Sequence, residues 1–307
     1  MRHESILVIG GSGFIGSHLV AQLAATGRKI TVPTRRLTRA GHLTVLPTVQ
    51  VVEADVFDER VLHQLVKQAG AVINLVGVLH SKSGPAGSSW GPQFEYAHVE
   101  LPRRLAQACV ANKVTRFLHM SALGADAHAP SMYLRSKAAG EQVLLTTPSL
   151  APTLFRPSVV FGVEDSFLNL FAKLQRVMPV LALGCVDAKF QPVYVQDVAR
   201  AFVMALDDRQ TIGQTIELAG PRVYTLRELV NLAGQYSGHP RPLIGLPAAL
   251  GRLQAMLLEY VPGGPLMSRD NVDSMQVDNI ATGRGASLAG WRATPLEAVA
   301  PHYLGRG

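Results

Sequence analysis

A chain of 307 residues, 48% hydrophobic and 17% charged, is long enough for one large α/β domain or a core with a smaller lobe, and its composition excludes a disordered chain. The net charge of +7 comes from scattered basic residues, with Arg35–Arg36 plus Arg39 and Arg103–Arg104 as the only short clusters, so no nucleic-acid partner is expected, while a membrane surface stays open. Two distant cysteines, Cys109 and Cys185, form no disulfide framework or metal motif and point to free thiols in a reducing compartment.

Taken in chain order, residues 6–9 are a short apolar run, then come glycines, then "FIGSHLVAQLAA" with Ile15, Leu19 and Leu23 at helical spacing. That predicts strand, turn, helix. Residues 28–34 and 49–56 predict the second and third strands, 59–69 a helix and 70–77 the fourth strand. A helix follows over 98–112, a strand over 116–122, a helix over 131–145 and a sixth strand over 151–157. Strands alternating with amphipathic helices predict an α/β fold with a parallel sheet covered on both faces. The loop 78–95, rich in Gly, Ser and Pro, follows the C-terminal end of a strand, where open parallel sheets bind ligands; a plain irregular insertion is the alternative. Beyond 157 the alternation weakens. "DSFLNLFAKLQRVM" predicts a helix, "FQPVYVQDVARAFVMALDD" a strand entering a helix, "QTIELAG" a strand, and "TLRELVNLAGQYSG" a helix opening at Thr225.

The opening "MRHESILVIGG" is too short and too glycine-interrupted for a signal peptide, and no apolar run approaches the roughly 20 residues that cross a bilayer. The expected place is the cytoplasm, free or peripheral at the inner face of the membrane.

The segment "VIGGSGFIGS" spaces Gly10, Gly13 and Gly16 three apart. Gly10 allows a tight turn out of the strand, Gly13 a close backbone approach to a pyrophosphate, and Gly16 close packing of helix on sheet. Ser12, Phe14 and Ile15 then offer backbone N–H groups at the positive end of the helix. The context predicts a dinucleotide. After the second strand the chain reads "VPTRRLTR": no acid is present for a ribose 2′-hydroxyl, and Arg35 and Arg36 suit a 2′-phosphate, so NADP(H) is expected over NAD(H). Asp55 and Val56 at the end of the third strand fit an adenine contact, and Leu75, Val76 and Gly77 at the end of the fourth fit the adenosine ribose; plain packing explains each equally.

"YLRSK" places Tyr133 and Lys137 one helical turn apart. An ammonium near a phenol favours the phenolate, so Lys137 is expected to lower the Tyr133 pKa toward working pH and to hold the nicotinamide ribose. Tyr133 then acts as general acid or base at a carbonyl oxygen, and Ser121 hydrogen-bonds the same oxygen. No His spacing suits a metal, and Glu164 and Asp165 lack a second cluster, so no metal is expected.

The segments "GGSGFIG", "ADV", "NLVG", "YLRSK", "RPSVVFG" and "QPVYVQDVA", in this order, resemble the short-chain dehydrogenase/reductase superfamily in its extended and atypical branches. More narrowly, "NLVGVLH", "HMSALGAD", "YLRSKAAGE", "RPSVVFGVEDSFLN" and "RDNVDSMQVDN" resemble the NADPH-carrying accessory subunit of respiratory complex I and its bacterial relatives. The resemblance implies a Rossmann-type doubly wound sheet over residues 1–157, completed by parts of 185–220, and a smaller C-terminal lobe made mainly of 158–307. It places Arg156, Pro157 and Val160 beside the nicotinamide. It also exposes a departure, since His98 stands where extended members carry an Asn of the proton relay. The implied role is cofactor binding and structural support within a membrane-bound respiratory complex, with reduction of a carbonyl or quinone open; a nucleotide-sugar epimerase/dehydratase and a non-catalytic dinucleotide sensor are the alternatives.

Within 246–261, Leu250, Leu253, Leu257 and Val261 recur at helical spacing, with Met256 and Tyr260 nearby and Arg252 and Glu259 interrupting. These form either the core of the small lobe or a surface for a membrane, a quinone tail or a partner. "GGPL", 263–266, predicts a turn beyond it.

Overall fold

The computed structural model describes residues 2–85, 87–261 and 267–305. Its first strand already sets the layering. β1 (Ser5–Ile9) sends Ile6 and Val8 into one apolar cluster and Leu7 and Ile9 into another, all buried. A strand covered on both faces has no polar side to show, which is why it reads as one apolar run.

Six more strands extend β1: β2 (Lys29–Thr34), β3 (Val49–Glu53), β4 (Ala71–Asn74), β5 (Arg116–Met120), β6 (Ala151–Pro157) and β7 (Thr215–Leu218). All pairings are parallel, and the order across the sheet is β7-β6-β5-β4-β1-β2-β3. This is a Rossmann-type sheet. The chain winds outward in both directions from the β1/β4 pair, so their C-terminal ends flank the crevice where such sheets take ligands.

The helices are α1 (Phe14–Ala25), α2 (Glu59–Lys67), α3 (Leu101–Ala111), α4 (Met132–Thr146), α5 (Leu168–Val177) and α6 (Val195–Leu206). Leu19, Val20 and Leu23 of α1 share one cluster with Val198, Phe202 and Ala205 of α6; Leu62 and Val66 of α2, Leu105 and Cys109 of α3, and Leu144 of α4 share the opposite one. A third cluster joins Leu168, Phe171 and Ala172 of α5 with Leu226, Leu229, Val230 and Ala233 of α7 (Leu226–Tyr236). Helix α7 opens at a Thr225/Glu228 capping box, at the predicted residue.

Two segments differ from expectation. The end of the loop 78–95 is helical: Pro92–Phe94 forms a turn and Glu95–Glu100 a π-helical turn that runs into α3. The start signal was Gly91–Pro92, with proline at a position where its missing N–H costs nothing. In α8 (Ala248–Leu258) the buried residues are Gly251 and Ala255, while Leu250, Leu253 and Leu257 are 51%, 48% and 64% exposed and Tyr260 is 79% exposed. The leucines are therefore not the core of the small lobe. Small residues make the contact because the helix lies on backbone: a Cβ on Gly251 would stand 2.8 Å from Gly184 Cα. The turn predicted at 263–266 falls outside the described residues.

Candidate functional site

The candidate site begins where β1 turns into α1. Gly10 has φ +81°, in the left-handed region, and a Cβ there would lie 3.2 Å from Val76 N at the end of β4. A Cβ on Gly16 would press on Gly10 O and stand 2.7 Å from Gly11 Cα, so only glycine lets α1 come this close to the turn. Gly13 is the N-cap of α1, no side chain caps the helix, and its first turn has no acidic residue. That leaves the amide end of α1, with Phe14 and Ile15 in its first turn, available to an anion. The Ser17 hydroxyl donates to Gly13 O at 2.9 Å and so back-bonds within the turn.

At the end of β2, Thr34 Oγ1 accepts the Arg36 N–H at 3.3 Å and donates to Arg36 O at 3.1 Å. This small turn carries Arg35 and Arg36 out of the sheet. Both are exposed, and among the described residues neither guanidinium has an ion-pair or hydrogen-bond partner. Asp55 uses its carboxylate locally, accepting the Phe57 N–H at 3.0 Å. The Phe57 ring stacks on Tyr96, with centroids 3.4 Å apart, beside half-buried Val56.

At the ends of β4 and β5 the candidate site turns polar. Lys137 is buried, its Nζ donates to Met120 O at 3.2 Å, and burial lowers its pKa to about 8. Gly77 lies against this ammonium, since a Cβ there would be 3.1 Å from Lys137 Nζ. Ser121 is buried with its hydroxyl unpartnered. The Tyr133 ring lies 6.0 Å from Lys137 Nζ, measured to its centroid. Burial, and then the charge of Asp270, raise the Tyr133 pKa to about 12. The expected lowering is thus reversed, because desolvation of the phenol and a neighbouring carboxylate both oppose ionisation.

The profile of the NAD dependent epimerase/dehydratase family matches residues 6–219, from β1 to the end of the central sheet. The chain belongs to this family. A relative from Arabidopsis thaliana, "NADH dehydrogenase [ubiquinone] 1 alpha subcomplex subunit 9, mitochondrial", is 32% identical over 292 residues, covering 90% of this chain and 70% of that protein. "Ceramide reductase" of Caulobacter vibrioides is 29% identical over 245 residues, covering 79% and 73%. Among solved structures, UDP-glucuronic acid 4-epimerase of Bacillus cereus, in complex with UDP-glucuronic acid and NAD, superposes with a TM-score of 0.68 at 21% identity over 98% of each chain. The fold is shared at that distance.

Within this member of the epimerase/dehydratase family, the side chains singled out from sequence do not all converge. Gly10, Gly77, Lys137, Ser121 and Tyr133 line one run from β1 across β4 and β5 to α4. Arg156 does not join them with its charge: Nε and Nη2 bind Glu141 at 2.8 and 2.5 Å. Pro157 is buried and Val160 half-buried, behind the same strand end. His98 is saturated, with Nε2 accepting the Val78 N–H at 3.1 Å and Nδ1 2.8 Å from Ser136 Oγ. Burial and the nearby Lys137 hold it neutral. Its place is the π-helical turn, and a Cβ on Gly140 would run into His98 O.

Sequence reasoning missed three residues. Gly11 packs on β2, where a Cβ would be 2.9 Å from Val32 Cγ1. Asn74 and His119, neighbours in the β4/β5 register, are buried together; Asn74 Nδ2 lies 3.3 Å from His119 Nδ1 and His119 Nε2 is unpartnered. The signal was available: each is the one polar side chain in an apolar strand run, "AVIN" and "FLHM".

Proposed function

We propose that this chain binds NADP(H) and is of the complex I accessory-subunit type, with its Tyr133–Lys137–Ser121 end suited to reduction of a carbonyl or quinone. The observation that carries the reading is the continuous run from the uncapped amide end of α1, past Gly77, to a buried Lys137 and an unpartnered Ser121 hydroxyl. A dinucleotide suits that run: its diphosphate would meet backbone N–H groups, its adenosine the ends of β2, β3 and β4, and its nicotinamide ribose the Lys137 ammonium. When bound and reduced, the nicotinamide supplies a hydride.

The residues do the remainder. Ser121 Oγ and Tyr133 Oη hydrogen-bond an acceptor oxygen, and Tyr133, protonated at neutral pH, gives it a proton as negative charge develops. Lys137 orients the ribose and supports the phenolate left behind. Arg35 and Arg36, free at the end of β2, favour a 2′-phosphate. The names of the Arabidopsis and Caulobacter relatives support both parts of the reading, the respiratory setting and carbonyl reduction. The expected location is peripheral, on the face of the membrane where reduced dinucleotides are held; among the described residues no helix is long and apolar enough to cross it.

The test is to identify the dinucleotide that co-purifies and to measure its affinity in Arg35→Ala/Arg36→Ala. NADPH affinity is expected to fall about 10- to 100-fold while NADH affinity stays put, since two charge-assisted contacts to one phosphate are removed. An unchanged NADPH affinity refutes the assignment.

A further inference from the structure

The C-terminal lobe reaches the candidate site through one carboxylate. Asp270, in the first turn of α9 (Arg269–Ser274), is 6% exposed and accepts the Met132 N–H at 2.6 Å and the Tyr133 N–H at 3.1 Å. These are the first two amides of α4. That helix already has its own cap, since Ser131 Oγ accepts the Leu134 N–H at 3.2 Å. A side-chain cap of this kind leaves the amides of the first two helical residues unpaired. Here a residue more than 130 positions along the chain pairs both. Its own backbone is tethered next door, where the Arg269 N–H and guanidinium bind Glu259 at the end of α8 at 2.7 and 3.2 Å.

We infer that Asp270 is a positioning residue of the candidate site: it holds the first turn of α4, and with it Tyr133 and Lys137, in register with the C-terminal lobe. The inference rests on the reading of Tyr133 and Lys137 as the reaction-side pair.

The charge has a direction as well as a place. At the amide end of α4 an anion is favoured, and it lies close enough to oppose ionisation of the Tyr133 phenol. The other groups facing Asp270 are His80 from the segment after β4, Arg135 from α4 and Asp273 from its own helix. Facing Tyr133 are His98, edge-on at 5.5 Å between centroids, and Lys137. His98 carries no charge and Lys137 is weakened by burial, so Asp270 adds to the larger effect of burial in disfavouring the phenolate. That form donates to an acceptor oxygen. The phenolate, which would withdraw a proton from an alcohol, is disfavoured.

Residue-resolved amide exchange on the full chain tests the hold. In Asp270→Ala, exchange at Met132 and Tyr133 is expected to rise ~10-fold or more, with the amides of β4 unchanged. Asp270→Asn keeps one acceptor oxygen without the charge. It should give a smaller rise and bring the onset of Tyr133 ionisation down by about one pH unit, read as phenolate absorbance minus that of the same protein carrying Tyr133→Phe. Unchanged exchange in either folded variant, or an unmoved phenolate onset in Asp270→Asn, overturns the inference. Should Asp270→Ala not fold, Asp270→Asn carries both measurements. Failure of the parent reading shows differently: Tyr133→Phe would bind and turn over dinucleotide like the wild type although the exchange results came out as expected. The contact would then be a structural latch, and the positioning role would fall.

Discussion

At the end proposed to hold the diphosphate the groups are backbone amides and glycines from a single stretch, residues 10–16; at the proposed reaction end they are side chains from four separate segments, buried Ser121 after β5, half-buried Tyr133 and buried Lys137 on α4, buried His98 in the π-turn, and buried Asp270 from α9. Residues 10–16 include no ionisable side chain. The reaction end holds Lys137, His98, His119 and Tyr133, each with its charged form opposed by burial. The first is a problem of close approach, solved by leaving out Cβ atoms. The second is a problem of desolvation, solved only when distant segments meet.

The largest effect should come from breaking the close approach. Gly16→Ala forces a Cβ onto Gly10 O and the Gly11 backbone, which have no flexible end to move. A loss of about 4 kcal/mol or more in urea unfolding is expected, with dinucleotide binding abolished. A stable, binding-competent Gly16→Ala would mean that the turn is far softer than its geometry.

Breaking the reaction end should spare the fold. Tyr133→Phe is expected to keep dinucleotide affinity and to lose turnover of a quinone or carbonyl by about 100-fold, the usual scale of a general acid. Equal loss of affinity would place Tyr133 in binding instead.

Lys137 sharpens the contrast through pH. Its folded pKa, about 8, lies below its ordinary 10.5, so the unfolded chain holds the proton more tightly. Burial of the charge therefore opposes folding fully below pH 8, and that cost fades as pH rises from 8 to 10.5. Lys137→Met should be more stable than wild type at pH 7 by roughly 2–3 kcal/mol, with the gap closing across that window, and should bind dinucleotide poorly. A gap that does not change with pH would trace it to packing.

The smallest effect belongs to α8. Leu253→Ser/Leu257→Ser removes apolar groups already facing water, so unfolding should move by no more than about 0.5 kcal/mol. A larger loss would show that those leucines are covered in solution.

The difference between the two ends also explains how much could be read in advance. The spacing of Gly10, Gly13 and Gly16 and the strand–helix alternation follow from local rules, because a positive φ or a missing Cβ is a property of one residue and its nearest neighbours. So the central sheet was legible, as was the start of α7 at Thr225. The pairing of Tyr133 with Lys137 was legible as a helical spacing, but its electrostatics were not. Nothing near "YLRSK" announces Asp270, and nothing in "RPSVVFG" says that Arg156 is taken by Glu141.

By itself, the sequence determined the strands of the central sheet, where α1 begins, and that a pair of arginines rather than an acid follows β2, since each depends on residues adjacent in the chain. Tertiary structure alone decided that His98 is saturated, that the leucines of α8 face outward, and that the Tyr133 pKa is pushed up and not down. The physical reason is that burial and the sign of a neighbouring charge belong to the assembled fold, where segments more than a hundred residues apart share one low-dielectric space.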